Sequence, residues 1–300
     1  MTDKMRLIVF PGVQNLPNFA AEANGFFAKR DLSVETTFTT SSEQQREGLG
    51  KGLYDIAHAA IDNAVAMVDV AGEDIAIVIG LDQAFNKLVV RPEITSYEDL
   101  RGKILGVDAP DTAFALVVYD MLARNGMKPG DYKVLPIGAT RFRLEALQAG
   151  KIDFAMLNLP FNLMAQRSGL AVLDDPAKVI GAYQSTGGFV QRAWAQANRA
   201  TLSSYLAAYV EGLRWVLDPA NRMQAIALLA ERMELTPEMA SDCFAQMSDP
   251  ALGFSVDARI DHAGMAKVLA LRAAFKGNPI PAPAELYIDE SFYREALASL

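Results

Sequence analysis

Gly52-Leu53-Tyr54-Asp55-Ile56-Ala57 and Gly150-Lys151-Ile152-Asp153-Phe154-Ala155 are two copies of one pattern, Gly-x-x-Asp-x-Ala, separated by 98 residues. The same offset, without a gap, pairs further similar residues: Val9 with Val107, Leu16 with Phe114, Phe19 with Val117, Glu47 with Glu145, and Leu49 with Leu147. The repeat predicts two similar halves in one chain. Two such halves usually enclose a cleft, and clefts bind small ligands.

The hydrophobic pattern gives both halves the same order of strand, helix, strand, helix, strand and helix. In the first half, strands are predicted at residues 7–10, 32–38, 54–57 and 75–79. In the second half, they are predicted at 104–107, 134–137 and 152–157. From Leu202 onward the pattern changes to consecutive helices. Alternating strands and helices followed by a helical tail predict an α/β fold.

Composition excludes several classes of function. The net charge of −8 argues against a general affinity for nucleic acid or anionic membranes. One cysteine and two histidines are too few for an internal disulfide or a Cys/His metal site, and Cys243 fits a buried apolar thiol. We expect no metal, no cofactor, no catalytic residue set and no membrane span. The first residues lack an apolar leader, so we expect a cytoplasmic protein unless a signal peptide was removed.

Several stretches occur in an order that resembles one protein family: residues 24–28, 52–57, 96–103, 106–107, 147–155 and 209–215. They resemble the sulfonate-, taurine- and thiamine-precursor-binding proteins of bacterial ABC importers. The resemblance implies a two-lobed, type II periplasmic-binding-protein-like fold with C-terminal helices and a ligand cleft between the lobes. It implies a monomer that binds a small molecule and, if exported to the periplasm, an ABC permease.

The resemblance also implies how the chain divides. Lobe one would comprise residues 1–89 and 188–300, and lobe two residues 90–187. The chain would cross between the lobes near 89–91 and 185–188. The ligand would lie where strand ends and helix N-termini converge, which is where open α/β sheets bind ligands.

Residues that follow the predicted strands are candidates for the cleft, and each also has a structural interpretation. Phe10 could stack on a ligand or pack in the core. Asn15, Ser41 and Ser42 could contact a ligand or cap helices. His58, Asp62 and Asn63 form the richest polar cluster, although Asp62 or Asn63 could be a cap and His58 a satisfied buried group.

Lobe two supplies a matching set of candidates. Its predicted cleft residues are Asp111, Thr112, Thr140, Arg141, Asn158 and Phe161, with Gly187 near the second crossing. Thr140 pairs with Ser42 at the 98-residue offset. Arg141 could bind a ligand carboxylate or remain solvated, Asp111 could be a helix cap, and Gly187 could belong to a loop turn. We expect His58 and Asp62 to face Thr112, Thr140 and Asn158.

Two classes of function fit these features. One is a non-catalytic solute receptor of an ABC importer. The other is a cytoplasmic enzyme on the same fold, similar to thiamine-pyrimidine synthases, menaquinone-pathway enzymes or a decarboxylase, with His58 and Asp62 as acid and base. The absence of a leader favours the enzyme, and the absence of a nucleophile–base pair or metal set favours the receptor. A regulatory sensor ranks third, since no DNA-binding helix pair is present.

Charge in the predicted loops bears on the ligand. Asp62, Asp108 and Asp111 face one nearby base, Arg141, and desolvated carboxylates repel anions. The sequence therefore predicts a neutral or cationic ligand, nitrogen-heterocyclic or amine-bearing, that stacks on Phe10 or Phe161.

Overall fold

Two mixed five-stranded sheets organise the chain in the computed structural model, which describes residues 2–82, 86–278 and 280–300. In chain order, strands β1 to β10 are Asp3–Val9, Leu32–Phe38, Ile56–Ala60, Ile75–Asp82, Lys87–Val90, Ile104–Val107, Lys133–Pro136, Phe154–Leu157, Ala171–Asp174 and Thr186–Gln191. Helices α1 to α13 are Leu16–Ala23, Ser42–Gly50, Asp62–Asp69, Ala113–Arg124, Thr140–Gln148, Phe161–Arg167, Pro176–Ile180, Arg192–Ala197, Arg199–Leu217, Arg222–Arg232, Pro237–Met247, His262–Phe275 and Ser291–Ala298.

The two sheets have the same topology. The first, which defines lobe one, has the order β2-β1-β3-β10-β4, and the second, which defines lobe two, has the order β7-β6-β8-β5-β9. In each sheet the first three strands are parallel, and the fourth runs antiparallel to both of its neighbours. The prediction of an α/β fold with two similar lobes is confirmed.

The repeated Gly-x-x-Asp-x-Ala pattern has a structural cause. Gly52 and Gly150 have φ angles of 69° and 67°, a left-handed conformation that glycine adopts without strain just beyond a helix end. The Asp55 carboxylate accepts the backbone N–H of Arg6 at 2.7 Å, and the Asp153 carboxylate accepts that of Ile104 at 2.8 Å. Each aspartate thereby fixes the central strand of its sheet to the neighbouring parallel strand.

The sheets show where the chain passes between the lobes. β5 lies in the second sheet, so the chain leaves lobe one between Asp82 and Lys87; residues 83–85 of that segment lie outside the described residues. It returns between Asp174 and Thr186, because β10 lies in the first sheet. The boundaries predicted at residues 89/90 and 187/188 therefore fall inside β5 and β10, a few residues later than the passages themselves.

The C-terminal helices pack mainly on lobe one. The long helix α9 lies between α1 and α13, and Gly212 allows the close approach, since a Cβ there would overlap the Pro17 carbonyl. The edge strand β4 is covered by the tail, where the Ile77 N–H donates to the Tyr287 carbonyl at 2.7 Å. Helix α12 contacts both α3 of lobe one and α4 of lobe two.

Cys243 is buried on α11, as expected. Within the described residues, no helix has the length and apolar character needed to cross a membrane. The same residues contain no group of three or more His, Cys, Asp or Glu side chains placed to hold a metal ion.

Candidate ligand-binding site

A cavity of about 80 Å³ lies between the two sheets, where a water molecule needs about 10–15 Å³. Lobe one contributes the segments after β1 and β3 and the start of α2, and lobe two contributes the segments after β6 and β8 and the start of α5. The two crossing segments complete the wall with Asp82, Asn86, Ser185 and Thr186. The cavity therefore lies at the carboxyl ends of the parallel strands, the usual ligand position in open α/β sheets.

Eight of the residues predicted for the cleft line this cavity: Phe10, Ser42, Asn63, Thr112, Thr140, Arg141, Asn158 and Phe161. Asn63 and Thr112 are buried, and the Oδ1 atoms of Asn63 and Asn158 accept no hydrogen bond from the described residues. Arg141 lies at the rim, because its side chain is 73% exposed and pairs with Glu145 at 3.0 Å.

The structure places the other predicted residues outside the cavity wall. The Asn15 amide donates to the Phe10 carbonyl at 2.8 Å and so supports the turn after β1. Ser41 caps α2 by accepting the Gln44 N–H at 3.1 Å. Asp111 is partly exposed, 3.6 Å from Arg46. Gly187 lies against the Ile79 carbonyl, where a Cβ would overlap that oxygen.

His58 lies in the core of lobe one. Its Nε2 is 3.1 Å from the Tyr205 hydroxyl, and its ring centroid is 5.0 Å from that of Tyr209. Burial lowers the pKa of His58 to about 3, so the imidazole is neutral at physiological pH. His58 does not face Thr112, Thr140 and Asn158 across the cavity, because it is buried against Tyr205 and Tyr209 of α9.

Asp62 is also buried away from the cavity, in an ion pair with Arg272 of α12. The Asp62 and Arg272 side chains are each 2% exposed. The Arg272 Nε donates to Asp62 Oδ1 at 2.9 Å, and Nη2 donates to Oδ2. Nη2 also donates to the Asp111 carbonyl at 2.8 Å, so this arginine connects α12 to both lobes.

Arg143 lines the cavity but is absent from the residues predicted from the sequence. It is 5% exposed, and it donates to the Gly138 carbonyl at 2.9 Å and to Thr140 Oγ1 at 2.8 Å. Its Nε has no hydrogen-bond partner among the described residues. Burial lowers the pKa of Arg143 to about 10, which leaves the guanidinium charged at pH 7.

The helical pattern contained a signal for Arg143. It precedes buried Leu144 and lies four residues before buried Leu147, so it belongs to the inward face of α5. At the 98-residue offset it pairs with Gln45, which is fully buried in lobe one.

Asp82 was also missed, because it ends an otherwise apolar strand. Its Oδ2 accepts the Thr186 hydroxyl, and its Oδ1 has no partner among the described residues. Burial raises the pKa of Asp82 to about 6. The cavity thus combines a buried cation from lobe two with a buried carboxyl group from the first crossing.

Hydrogen bonds across the cleft connect the two lobes. The Ser42 N–H donates to Asp108 Oδ2 at 3.1 Å, so a lobe-two carboxylate occupies the N-terminus of α2 in lobe one. The Ala139 N–H donates to the Thr40 carbonyl at 3.2 Å. The structure therefore represents a closed arrangement, with the cavity enclosed between the lobes.

Comparison with known proteins gives one family and one fold. The family model described as NMT1/THI5 like matches residues 13–222. A protein from Bordetella bronchiseptica superposes with a TM-score of 0.84 at 22% identity, with 99% of this chain and 97% of that chain covered. No curated protein matches.

Two further solved structures resemble the chain. The ligand-binding component of an ABC-type import system from Staphylococcus aureus, solved with zinc bound, has a TM-score of 0.82 at 13% identity, covering 98% and 99% of the two chains. The periplasmic aliphatic sulphonate-binding protein SsuA from Escherichia coli has a TM-score of 0.75 at 18% identity, covering 96% and 92%. These likenesses confirm the predicted type II periplasmic-binding-protein fold.

Proposed function

The chain belongs to the NMT1/THI5-like family, and we propose that it is the solute-binding receptor of an ABC importer, with a small organic ligand held between its two lobes. The observation that carries this proposal is the composition of the cavity wall, to which both lobes and both crossing segments contribute. Because the crossings form part of the wall, separating the lobes opens the cavity and closing them encloses the ligand. Export to the periplasm and docking on a permease belong to the same proposal.

The solved relatives support this function. The S. aureus protein is described as the ligand-binding component of an import system, and the E. coli protein as a periplasmic binding protein. Both match this chain over nearly its full length, lobes and tail included.

The residues expected to act as acid and base in an enzyme, His58 and Asp62, do not line the cavity. His58 is neutral and enclosed by α9, and Asp62 is engaged by Arg272, so neither reaches the cavity. Asp82 is the observation that keeps an enzyme as second candidate. A buried carboxyl group with a pKa near 6, lining a ligand cavity, is suited to accept or donate a proton.

One experiment separates the two functions. Small molecules released by denaturing the purified protein are identified by mass spectrometry, and each is then incubated with fresh protein. A receptor returns its ligand unchanged, and a host strain that lacks the gene loses uptake of that compound. Conversion of the compound to a product, abolished by Asp82→Asn, would instead establish the enzyme.

A further inference from the structure

We propose that the ligand is a small organic acid, with an oxyacid group bound by Arg143 and a hydrogen-bond donor at its other end that meets Asp82. This rests on the proposed function only in taking the cavity as the ligand site, and it names the chemical class of ligand that the site accepts.

Arg143 is a buried cation in the cavity wall. Its described partners, the Gly138 carbonyl and Thr140 Oγ1, are neutral, and no described carboxylate lies within ion-pair distance of it. Asp108 attracts the guanidinium at longer range but is hydrogen-bonded to the N-terminus of α2. A buried charge without a direct partner is costly, and an anionic ligand that accepts a hydrogen bond from Nε would offset that cost.

Asp62, Asp108 and Asp111, on which the expectation of a neutral or cationic ligand rests, each have a partner in the structure. Asp62 is paired with Arg272 in the core. Asp111 faces solvent beside Arg46. Asp108 is engaged by the Ser42 N–H. Each of the three carboxylates has a partner of its own, whereas Arg143 Nε has none among the described residues. Arg143 is therefore the charged group on this side of the cavity that still offers a hydrogen bond to a ligand.

Unpaired hydrogen-bond acceptors are available in the cavity for the other end of the ligand. Asp82 Oδ1 has no described partner, and Asn63 and Asn86 each present an Oδ1 that is also unpaired. All three residues line the same cavity, on lobe one and the first crossing. Acceptors of this kind favour a ligand that carries a hydroxyl, amine or ring N–H at the end remote from its acid group.

Part of the cavity wall is apolar and aromatic. Phe10, Phe114 and Phe161 line it together with Ala115, Val118 and Met156. Aromatic side chains around a small cavity favour a flat ring between the two polar ends. A hydroxylated or aminated aromatic acid therefore satisfies the cation, the acceptors and the apolar wall together.

The test uses matched probes and the full-length chain. Calorimetry compares 4-hydroxybenzoate with benzoate, with the neutral 4-hydroxybenzamide, and with 4-hydroxybenzenesulfonate, which distinguishes a carboxylate from a sulfonate as the preferred acid. We expect the preferred acid to bind about 10- to 100-fold tighter than the amide, as expected of hydrogen bonds to a charged group. The hydroxyl group should add about five-fold over benzoate.

Variants assign these preferences to residues. Arg143→Gln should abolish the acid-over-amide preference, whereas Asp82→Asn should retain that preference and reduce the contribution of the hydroxyl group. Arg124→Gln, on α4 of the same lobe and paired with Asp120 away from the cavity, is the control and should bind like the wild type. Thermal unfolding of each variant shows that it is folded.

Three results would overturn the proposal: equal binding of acid and amide, an acid preference retained in Arg143→Gln, or no binding of either acid at millimolar concentration. These results concern the ligand class alone. Failure of the receptor function would appear separately, as chemical conversion of the ligand or as unchanged uptake in the gene-deleted host.

Discussion

Helices α2 and α5 occupy the same place in the two lobes, yet the residue at one inward position makes different contacts in each helix. Gln45 of α2 donates to the carbonyls of Ile8 in β1 and His58 in β3, both at 3.2 Å, and so joins its helix to two strands of lobe one. Its counterpart Arg143 bonds only to the residues at the start of its own helix and leaves Nε free at the cavity. Lobe one uses the position for its own stability, whereas lobe two presents a charge there.

The N-termini of α3 and α6 differ in a similar way. Asp62 begins α3 and binds Arg272 of the C-terminal region, whereas the 98-residue offset places Pro160 before α6, where no side chain can ionise. Lobe one is thereby tied to the tail by a buried ion pair. Residues that the two lobes share therefore build the common scaffold. Residues that differ between the lobes determine whether a charge lies in the core or at the cavity.

Removing the lobe-one ion pair tests this comparison with the largest expected effect. Asp62→Ala leaves Arg272 charged and buried, so we expect a loss of about 3–5 kcal/mol in the free energy of unfolding. The double variant Asp62→Leu with Arg272→Met should lose much less, because no charge remains buried. Urea unfolding at pH 7 measures both, and Asp120→Ala, which breaks a partly exposed pair, is the control. A loss below about 1 kcal/mol for Asp62→Ala would contradict the assignment.

Substituting Gln45 of α2 and Arg143 of α5, each by the residue found in the other helix, tests directly whether the two positions differ. Gln45→Arg buries a charge with no partner in lobe one, and we expect it to destabilise the protein by about 2–4 kcal/mol. Arg143→Gln removes a charge that is buried already, and should change the stability of the ligand-free protein by less than about 1 kcal/mol or increase it. Equal destabilisation by the two substitutions, measured by chemical unfolding, would show that the two positions are equivalent after all.

Asp82, the buried acid of the cavity, should make the stability of the protein depend on pH. Because burial raises the pKa of Asp82 from 3.8 to about 6, its contribution to stability is fully present below pH 3.8 and is lost as the pH rises through 6. Asp82→Asn should therefore stabilise the protein at pH 8 by about 3 kcal/mol, and the gain should vanish near pH 4. Thermal unfolding over this range measures it.

Thr186→Val is the matched control for Asp82. It removes a hydroxyl that donates to the ionised carboxylate, so it should destabilise the protein more at pH 8 than at pH 4. If the increase in stability caused by Asp82→Asn does not vary with pH, the raised pKa does not belong to Asp82.

Much of the fold could be predicted from the sequence because its causes are local and repeated. Three features recur at the 98-residue offset: the glycine turns, the backbone hydrogen bonds accepted by Asp55 and Asp153, and the nine-residue helices α2 and α5. The passages between the lobes were harder, because β5 and β10 join their sheets through long-range pairing that no local pattern records.

The site was predicted less completely, for a related reason. Loop position identified residues such as Thr140 and Asn158, which line the cavity. It could not show that Asp62 meets Arg272, which is 210 residues away in the chain. It also overlooked Arg143 and Asp82, since an arginine within a helix and an aspartate at the end of an apolar strand resemble ordinary structural residues.

The position of β10 has a consequence for synthesis of the protein. The strands of the second sheet all lie within residues 87–174, whereas the first sheet lacks the strand between β3 and β4 until residues 186–191 are made. A ribosome therefore releases every strand of the later lobe before the earlier lobe can be completed. The N-terminal strands must wait for a partner more than 100 residues downstream, and such distant pairings are the slow steps of folding. Nascent chains stalled before and after residue 191 would differ in the protease resistance of lobe one.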